Sequence, residues 1–202
     1  MSSKSRPSQP SLRALRSELT PAAMVTVILL GLSLGLPARA LEFERMGLAQ
    51  YRQTINKAHK AYRSGRMEEA LALYNLTARW GEPDCQRQLG IMLLSGEGTE
   101  VDLVEGMAWI QLAAKTRRKS DLDVLKQAKA QLPEEAVKAA EELAEEWKPL
   151  YGAKATGISC KRQRLKDSGR KEVFCERRAG GMADAKIVEV PVLDSQYYWA
   201  ID

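Results

Sequence analysis

The chain has 202 residues and a formal net charge of +5 at pH 7, from 31 basic and 26 acidic residues. This length allows one domain or two small ones. Five of the basic residues and one of the acidic residues lie in the first forty positions, so the rest of the chain carries 26 basic and 25 acidic residues, a formal charge of +1. Overall charge therefore gives no reason to predict a nucleic-acid partner, and we predict none.

Residues 1–40 have the features of a secretory signal peptide. Basic residues precede an apolar segment from Met24 to Leu36, and Ala38-Arg39-Ala40 matches a small-x-small cleavage site. An uncleaved membrane anchor is the alternative, but this apolar helix would extend only about 20 Å, less than the roughly 30 Å hydrocarbon layer. We predict cleavage after Ala40, no stable membrane insertion of the mature chain, and a periplasmic or secreted protein. Translation could also begin after Met1.

The first part of the mature chain is predicted to be helical. Leu41–Gln53 is expected to be a helical lead-in without a clear register. Apolar residues at helical spacing then predict one helix that ends near Tyr62 and a second over Met67–Trp80. A short turn at Gly65 joins them, so we expect an antiparallel helix pair.

The segment Asp84–Ala114 carries the most specific pattern in the chain. Apolar residues at helical spacing stop at Gly96-Glu97-Gly98 and then resume, which predicts two antiparallel helices joined by a tight turn. The two turn glycines can take positive φ, and Gly90 allows the helices to cross closely. Asp102 can cap the second helix, and Trp109 supplies a large packing surface.

This pattern resembles the Sel1-like repeat, a relative of the tetratricopeptide repeat. The matching positions are Leu89, Gly90, Gly96, Gly98, Asp102, Trp109, Ala113 and Ala114. Three positions depart from the family's pattern: Thr99 stands where Val is usual, Gly106 where Ala is usual, and Leu93 where Tyr is common. The resemblance implies a mainly α fold over residues 41–152, built as a short α-solenoid of antiparallel helix pairs. The preceding pair, which lacks the GxG turn, is interpreted as the solenoid's N-terminal cap.

Two further helices are predicted to close the solenoid. Lys115–Lys119 is expected to be a solvated basic turn, in a place where the family usually has a glycine. The helix over Asp121–Leu132 has an apolar stripe that consists of Leu122, Leu125, Ala128 and Leu132. The last helix is predicted over Pro133–Leu150, and Lys148-Pro149 is expected to stop it, because proline lacks the N–H that a continuing helix needs.

Residues 153–202 form a C-terminal segment with the only β-like patterns in the chain, over Gly157–Arg162, Lys171–Arg177 and Ile187–Val192. A turn over 166–169 would join the first two, and a hairpin centred on that turn places Cys160 directly opposite Cys175. Cross-strand Cα distances of about 4.5 to 5.5 Å suit a disulfide, and export places the chain in an oxidising compartment. We therefore predict a disulfide-closed β-hairpin.

The predicted hairpin is strongly basic, with eight basic and three acidic residues from Cys160 to Arg178. Two interpretations stay open: charged edge strands prevent unwanted pairing, or the hairpin contacts an anionic partner. In the second case the candidate residues are Arg162, Arg164 and Lys171. The aromatic terminus Ser195–Asp202 is expected to dock on the helices, with binding to another molecule as the alternative.

No pattern of catalytic, metal-ligating or cofactor-binding residues is recognised in the sequence. His59 is the only histidine and is expected at the surface, and Cys85 is expected to be a buried free thiol. The Gly96-x-Gly98 turn lacks the following lysine and the preceding strand of a phosphate-binding loop. We therefore predict a non-enzymatic protein without metal or cofactor.

The resemblance to the Sel1-like repeat implies a protein–protein interaction scaffold in the cell envelope. Stacked helix pairs would present a shallow groove whose exposed side chains select the partner. A second copy of the chain could complete the helical core, which would give a homodimer. The alternative function is an accessory role in which the basic hairpin docks on an anionic envelope surface or polymer.

Overall fold

The structure is a computed structural model, and it describes residues 43–177 and 187–191. The predicted leader and the aromatic terminus Ser195–Asp202 lie outside the described residues. Within these two ranges the chain forms six helices and four short strands, so the mainly α class is confirmed. None of the described helices combines the length and the apolar character that crossing a membrane requires.

The helices follow one another along the chain. They are α1 (Leu48–Arg63), α2 (Met67–Arg79), α3 (Pro83–Ser95), α4 (Leu103–Ala114), α5 (Lys119–Gln131) and α6 (Glu134–Tyr151). Gly96 ends α3 with a φ of 71°, in the left-handed region that glycine tolerates. Asp102 precedes α4, and its side chain accepts a hydrogen bond from the Glu105 backbone N–H at 2.8 Å. The predicted helix pair and its glycine turn are confirmed.

The four strands form two small antiparallel sheets. They are β1 (Phe43–Gly47), β2 (Ile158–Arg164), β3 (Lys171–Arg177) and β4 (Ile187–Pro191), with β1 paired to β4 and β2 paired to β3. The β2–β3 hairpin is called the ribbon below. Cys160 lies opposite Cys175 in the ribbon, and the two form a disulfide with a Cα–Cα distance of 4.0 Å. The predicted hairpin and disulfide are therefore confirmed.

The predicted helical lead-in is wrong in its first half. Residues Phe43–Gly47 form β1, and α1 begins only at Leu48. The backbone partners of β1 come from β4, in a register that places Arg45 opposite Glu189. The spacing of apolar residues could not indicate this pairing, because the partner strand is remote in the sequence and its hydrogen bonds override local preference.

Helices α3 and α4 cross most closely where two glycines meet. A Cβ on Gly90 would lie 2.5 Å from the Gly106 carbonyl oxygen, and a Cβ on Gly106 would lie 2.9 Å from the Gly90 carbonyl oxygen. Both distances are shorter than a carbon atom tolerates, so glycine is needed at both positions. Gly106, a departure from the Sel1-like pattern, thus has a packing reason in this chain.

Helix α4 lies between two hydrophobic clusters. The first contains Leu73, Leu89, Met92 and Trp109, and the second contains Met107, Ile110, Ala128 and Ala140. Helices α2 and α3 contribute to the first cluster, whereas α5 and α6 contribute to the second. Burial on both sides explains the nearly continuous apolar sequence of α4, because a helix that is covered all round needs no polar face.

The closing helices differ from the prediction in two details. Leu122, which was assigned to the inward stripe, is 43% exposed, whereas Asp121 beside it is fully buried. Helix α6 continues through Pro149 to Tyr151. The Tyr151 ring packs against Trp109, with 5.6 Å between the ring centroids. We infer that this packing keeps the last turn helical although Pro149 donates no hydrogen bond.

Arg177 of the ribbon bonds to the end of α2, to the loop before β2 and to β4. The Arg177 guanidinium donates hydrogen bonds to the carbonyl oxygens of Thr156, Glu189 and Trp80. It also lies 4.8 Å from the centre of the Tyr51 ring, which forms a buried cluster with Trp80. The strands of the ribbon are otherwise mostly exposed, so charged hydrogen bonds at one end hold it in place.

Candidate binding cleft

A cleft of about 920 Å³ separates the start of α5 from the ribbon. One wall consists of the α4–α5 turn and the first turns of α5, between Arg117 and Asp123. The other wall is residues 170–175 of the ribbon, with Arg162 of β2 beside them. Two smaller clefts, of about 490 and 330 Å³, lie near the end of α6 and among α4, α5 and α6.

An ion cluster fixes the α4–α5 turn against α3. The buried Asp121 carboxylate accepts hydrogen bonds from Arg87 at 2.6 Å and from Arg118 at 2.7 Å. Asp84 of α3 accepts hydrogen bonds from the same two guanidinium groups. Because each charge has opposite partners, Asp121 can be buried while Leu122 turns outward. The predicted solvated turn is therefore wrong for Arg118, whose side chain is only 14% exposed.

The cluster also sets the ionisation of Asp84 at the edge of the cleft. Burial alone would raise the pKa of Asp84, but hydrogen bonds from Arg118 and the charges of Arg118 and Arg87 hold this pKa below its ordinary value. Asp84 is therefore ionised at neutral pH, and its charge is already balanced by the two arginines. It offers the cleft no free negative charge.

The cleft has an excess of three positive charges among its lining residues. The lining contains six basic and three acidic residues. Two of the basic residues have acidic partners, since Arg118 pairs with Asp84 and Lys119 pairs with Asp123, both at 2.7 Å. The basic residues that form no ion pair within the described ranges are Arg117, Arg162, Arg170 and Lys171. An anionic ligand in the cleft would therefore meet uncompensated cations.

Two of the three predicted anion-contact residues line the cleft. They are Arg162 and Lys171, whereas Arg164 is exposed on the ribbon outside the cleft. The sequence pattern did not indicate Arg117, which has a φ of 64° in the left-handed region that favours glycine. The sequence holds one signal for this turn: Lys115–Lys119 contains no glycine, where the Sel1-like pattern usually has one.

Two exposed apolar side chains lie on opposite walls of the cleft. Leu122 of α5 is 43% exposed and Phe174 of β3 is 39% exposed. They are two of the three large hydrophobic residues that are exposed in the described part of the chain. Exposed apolar surface inside a charged rim is typical of an interaction site. The cleft therefore suits a ligand that carries both acidic and apolar groups.

The eight residues of the Sel1-like signature lie outside the cleft and have packing roles. Leu89 is 2% exposed, and Trp109 is fully buried with its indole N–H donating to Glu105 at 3.2 Å. Ala113 and Ala114 are buried on α4, which packs against α6. The signature residues thus build the helix pair and do not touch a ligand in the cleft.

His59 and Cys85 lack the features of reactive groups. His59 is half-buried instead of exposed at the surface, and its Nδ1 lies 2.8 Å from the Tyr74 hydroxyl. Burial lowers the pKa of His59. Cys85 is a fully buried free thiol, and burial raises its pKa, which disfavours the thiolate. No group of three His, Cys, Asp or Glu residues in the two described ranges is placed to hold a metal ion.

Comparisons of the chain with protein-family models, with curated proteins and with solved structures gave no match. The resemblance to the Sel1-like repeat thus stays a prediction from the residues that carry it. Any conclusion about function depends on the geometry, charge and exposure of the cleft.

Proposed function

We propose that this protein is a non-enzymatic Sel1-like, tetratricopeptide-like scaffold that binds a protein partner in the periplasm or outside the cell. The close approach of Gly90 and Gly106, the positive φ angles of Gly96 and Gly98, and the Asp102 cap support the repeat assignment. Helix contacts in chain order, from α1 to α2, α3 and α4, support a short solenoid of antiparallel helix pairs.

The observation that carries the binding proposal is the mixed lining of the cleft. Leu122 and Phe174 offer apolar surface, and basic side chains without described acidic partners lie around them. A protein partner can supply acidic and apolar side chains on one surface, which matches both features. A ligand that carries charge alone would leave the apolar pair in water.

Export is part of the proposal because the disulfide belongs to one wall of the cleft. Cys175 lines the cleft and is bonded to Cys160 across the ribbon. An oxidising compartment preserves this bond and therefore preserves the wall. Binding through charge and apolar contact requires no cofactor and no bond-making step.

Affinity capture followed by reconstitution tests the proposal. The immobilised mature chain is exposed to an envelope extract, and a retained protein is purified and titrated against it. We expect a saturable complex that weakens about tenfold or more in Leu122→Glu, because this change removes apolar contact and adds a negative charge. Gln127→Glu is the matched control, since it adds the same charge to an exposed position of α5 outside the cleft.

The possible outcomes test separately whether the cleft is the binding surface and whether the protein is a scaffold. A complex that both variants weaken equally, or that neither weakens, contradicts the cleft as the binding surface. The scaffold proposal itself is wrong if no retained protein binds again in purified form.

A second candidate function is docking on an anionic envelope polymer or lipid surface through the ribbon. The observation that favours it is the exposure of Arg162, Arg164 and Lys171 on the same hairpin. In this case binding to acidic vesicles or polymer disappears at high salt. Charge reversal at Arg164, outside the cleft, should then cost as much affinity as charge reversal at Lys171. Binding in the cleft depends on Lys171 and not on Arg164.

A further inference from the structure

The outer edge of β3 carries backbone groups that have no hydrogen-bond partner among the described residues. In an antiparallel pair, hydrogen-bonded residue pairs alternate with closer pairs whose N–H and C=O point away from the partner strand. Cys160 and Cys175 form such a close pair, with 4.0 Å between their Cα atoms. Consistently, the Leu165 N–H donates to the Arg170 carbonyl at 2.7 Å, which places Arg170 in the hydrogen-bonded set. The β3 residues whose backbone groups point away from β2 are therefore Lys171, Val173, Cys175 and Arg177.

This free edge borders the cleft. All residues from Arg170 to Cys175 line it, so residues that alternate between the two faces of β3 all contribute. Successive side chains of a strand point to opposite faces, and both sets reach one cavity when the strand's edge lies toward it. β2 covers the other edge, and no third strand pairs with β3 in the part of the chain that the structure describes.

We propose that an extended acidic segment of a partner protein binds in the cleft as a third strand on β3. The inference rests on the proposed function, because it names the partner's chemistry at the same cleft. Hydrogen bonds between the segment's main chain and the free edge supply affinity. Acidic side chains of the segment contact the unpaired cations, and its apolar side chains contact Leu122 and Phe174.

Charge favours this occupant over a second copy of the ribbon. Between Ile158 and Arg177 the ribbon has seven basic and three acidic residues, so two ribbons that approach each other repel. A flat lipid surface does not provide hydrogen-bond partners for a strand edge inside a concave cleft. An extended acidic chain provides both the negative charge and the main-chain groups.

Fluorescence anisotropy with defined peptides tests strand addition. The mature, disulfide-bonded chain is used, and the probe is a labelled eight-residue peptide that alternates glutamate with valine. In an added strand, every second peptide N–H points toward β3 and the others point away. N-methylation of one alternate set should therefore weaken binding about tenfold or more, and N-methylation of the other set less than about threefold.

Charge variants test the location of the peptide. We expect Arg162→Glu combined with Lys171→Glu to lower the affinity for the glutamate peptide about tenfold or more, and to create affinity for a lysine–valine peptide. The double variant Lys161→Glu with Lys166→Glu is the matched control, because it reverses two charges that are exposed on the same ribbon and do not line the cleft. It should change the affinity less than about threefold.

Amide hydrogen exchange tests the strand edge directly. The N–H groups of Val173 and Cys175 should become protected when the glutamate peptide binds. Those of Glu172 and Phe174 already pair with β2, so their exchange should change little. Protection of both sets alike would instead show a general stabilisation of the ribbon and would overturn strand addition.

Three further results would overturn the inference: equal effects of the two methylation sets, affinity unchanged by Arg162→Glu with Lys171→Glu, or peptide-independent dimers formed through β3. If the captured partner still binds in a Leu122-dependent way while the peptides show no methylation pattern, this inference fails and the proposed scaffold function stands. If neither the partner nor the peptides bind, both fail.

Discussion

The helical core and the ribbon are stabilised in different ways. In the core, α3 and α4 touch through Gly90 and Gly106 and bury Trp109, so stability is distributed over many close contacts. In the ribbon, Ile158 is the only buried residue of the two strands, and a disulfide and Arg177 provide the restraint. The core should therefore be sensitive to changes of volume, and the ribbon to the loss of single groups.

The candidate cleft lies where these two regions face each other. Its α5 wall is fixed by the ion cluster around Asp121, whereas its ribbon wall includes the outer edge of β3, which has no partner strand among the described residues. A fixed wall can orient a ligand, and an unpaired edge can accept one. The contrast between the regions thus explains why apolar and basic groups are exposed at this place.

The largest effect is expected for Gly90→Ala, which tests the close crossing in the core. The added Cβ would lie 2.5 Å from the Gly106 carbonyl oxygen and 2.6 Å from Ile110 Cγ1, so the helices must separate. We expect the free energy of unfolding to fall by about 3 kcal/mol in urea denaturation followed by circular dichroism. For the control Gly47→Ala, whose Cβ meets nothing within 4 Å, the change should stay within about 0.5 kcal/mol.

Replacement of Cys160 and Cys175 by serine tests the ribbon. In the chain-entropy model, a cross-link between residues 15 positions apart stabilises the folded state by about 3 kcal/mol. Most of the stability that the replacement removes should be lost from the ribbon. We expect faster amide exchange in β3, with a smaller shift of the helical transition than Gly90→Ala causes. Cys85→Ala removes the other cysteine without cutting a cross-link and serves as the control. Equal losses in helices and ribbon would contradict the distinction between the two regions.

A smaller effect is expected for Asp102→Ala, which removes one hydrogen bond from the core. The side chain caps α4 through the Glu105 N–H, and loss of such a cap costs about 1 kcal/mol. Thermal unfolding should show a modest decrease in midpoint that Glu100→Ala, an exposed change in the same loop, does not produce. A decrease as large as that of Gly90→Ala would mean that core stability depends on single groups after all.

The smallest effect on stability is expected from the ion cluster, and the size of this effect depends on pH. The pKa of Asp84 is lowered in the folded state, so its contribution to stability is present above the ordinary carboxyl pKa of about 4 and is lost as pH falls through the lowered pKa. The stability difference between wild type and Asp84→Asn should therefore be larger at pH 7 than at pH 3 in urea denaturation.

Glu82 provides the opposite case for the same measurement. Burial raises the pKa of Glu82, so its contribution is present at low pH and is lost as pH rises through the raised pKa. The stability difference between wild type and Glu82→Gln should therefore shrink as the pH rises. Parallel trends for the two variants would contradict the assigned environments.

The sequence by itself determined the features that depend on short-range spacing and turn chemistry. Helical periodicity on both sides of Gly96-x-Gly98 was enough to place α3 and α4, since the turn admits little but glycine. The centre of the ribbon turn was enough to pair Cys160 with Cys175, because the register of a hairpin follows from its turn. Of the predicted anion contacts Arg162, Arg164 and Lys171, the first and the last line the cleft, and the role of all three stays a prediction.

Only the tertiary structure decided which groups are buried and which remote segments meet. Asp121 is buried because Arg87, on a different helix, neutralises it, and Leu122 is exposed as a consequence. β1 is a strand because β4 pairs with it, and Phe174 lines a cleft because α5 lies opposite. These outcomes depend on contacts between residues that are distant in the chain, and local periodicity carries no information about such partners.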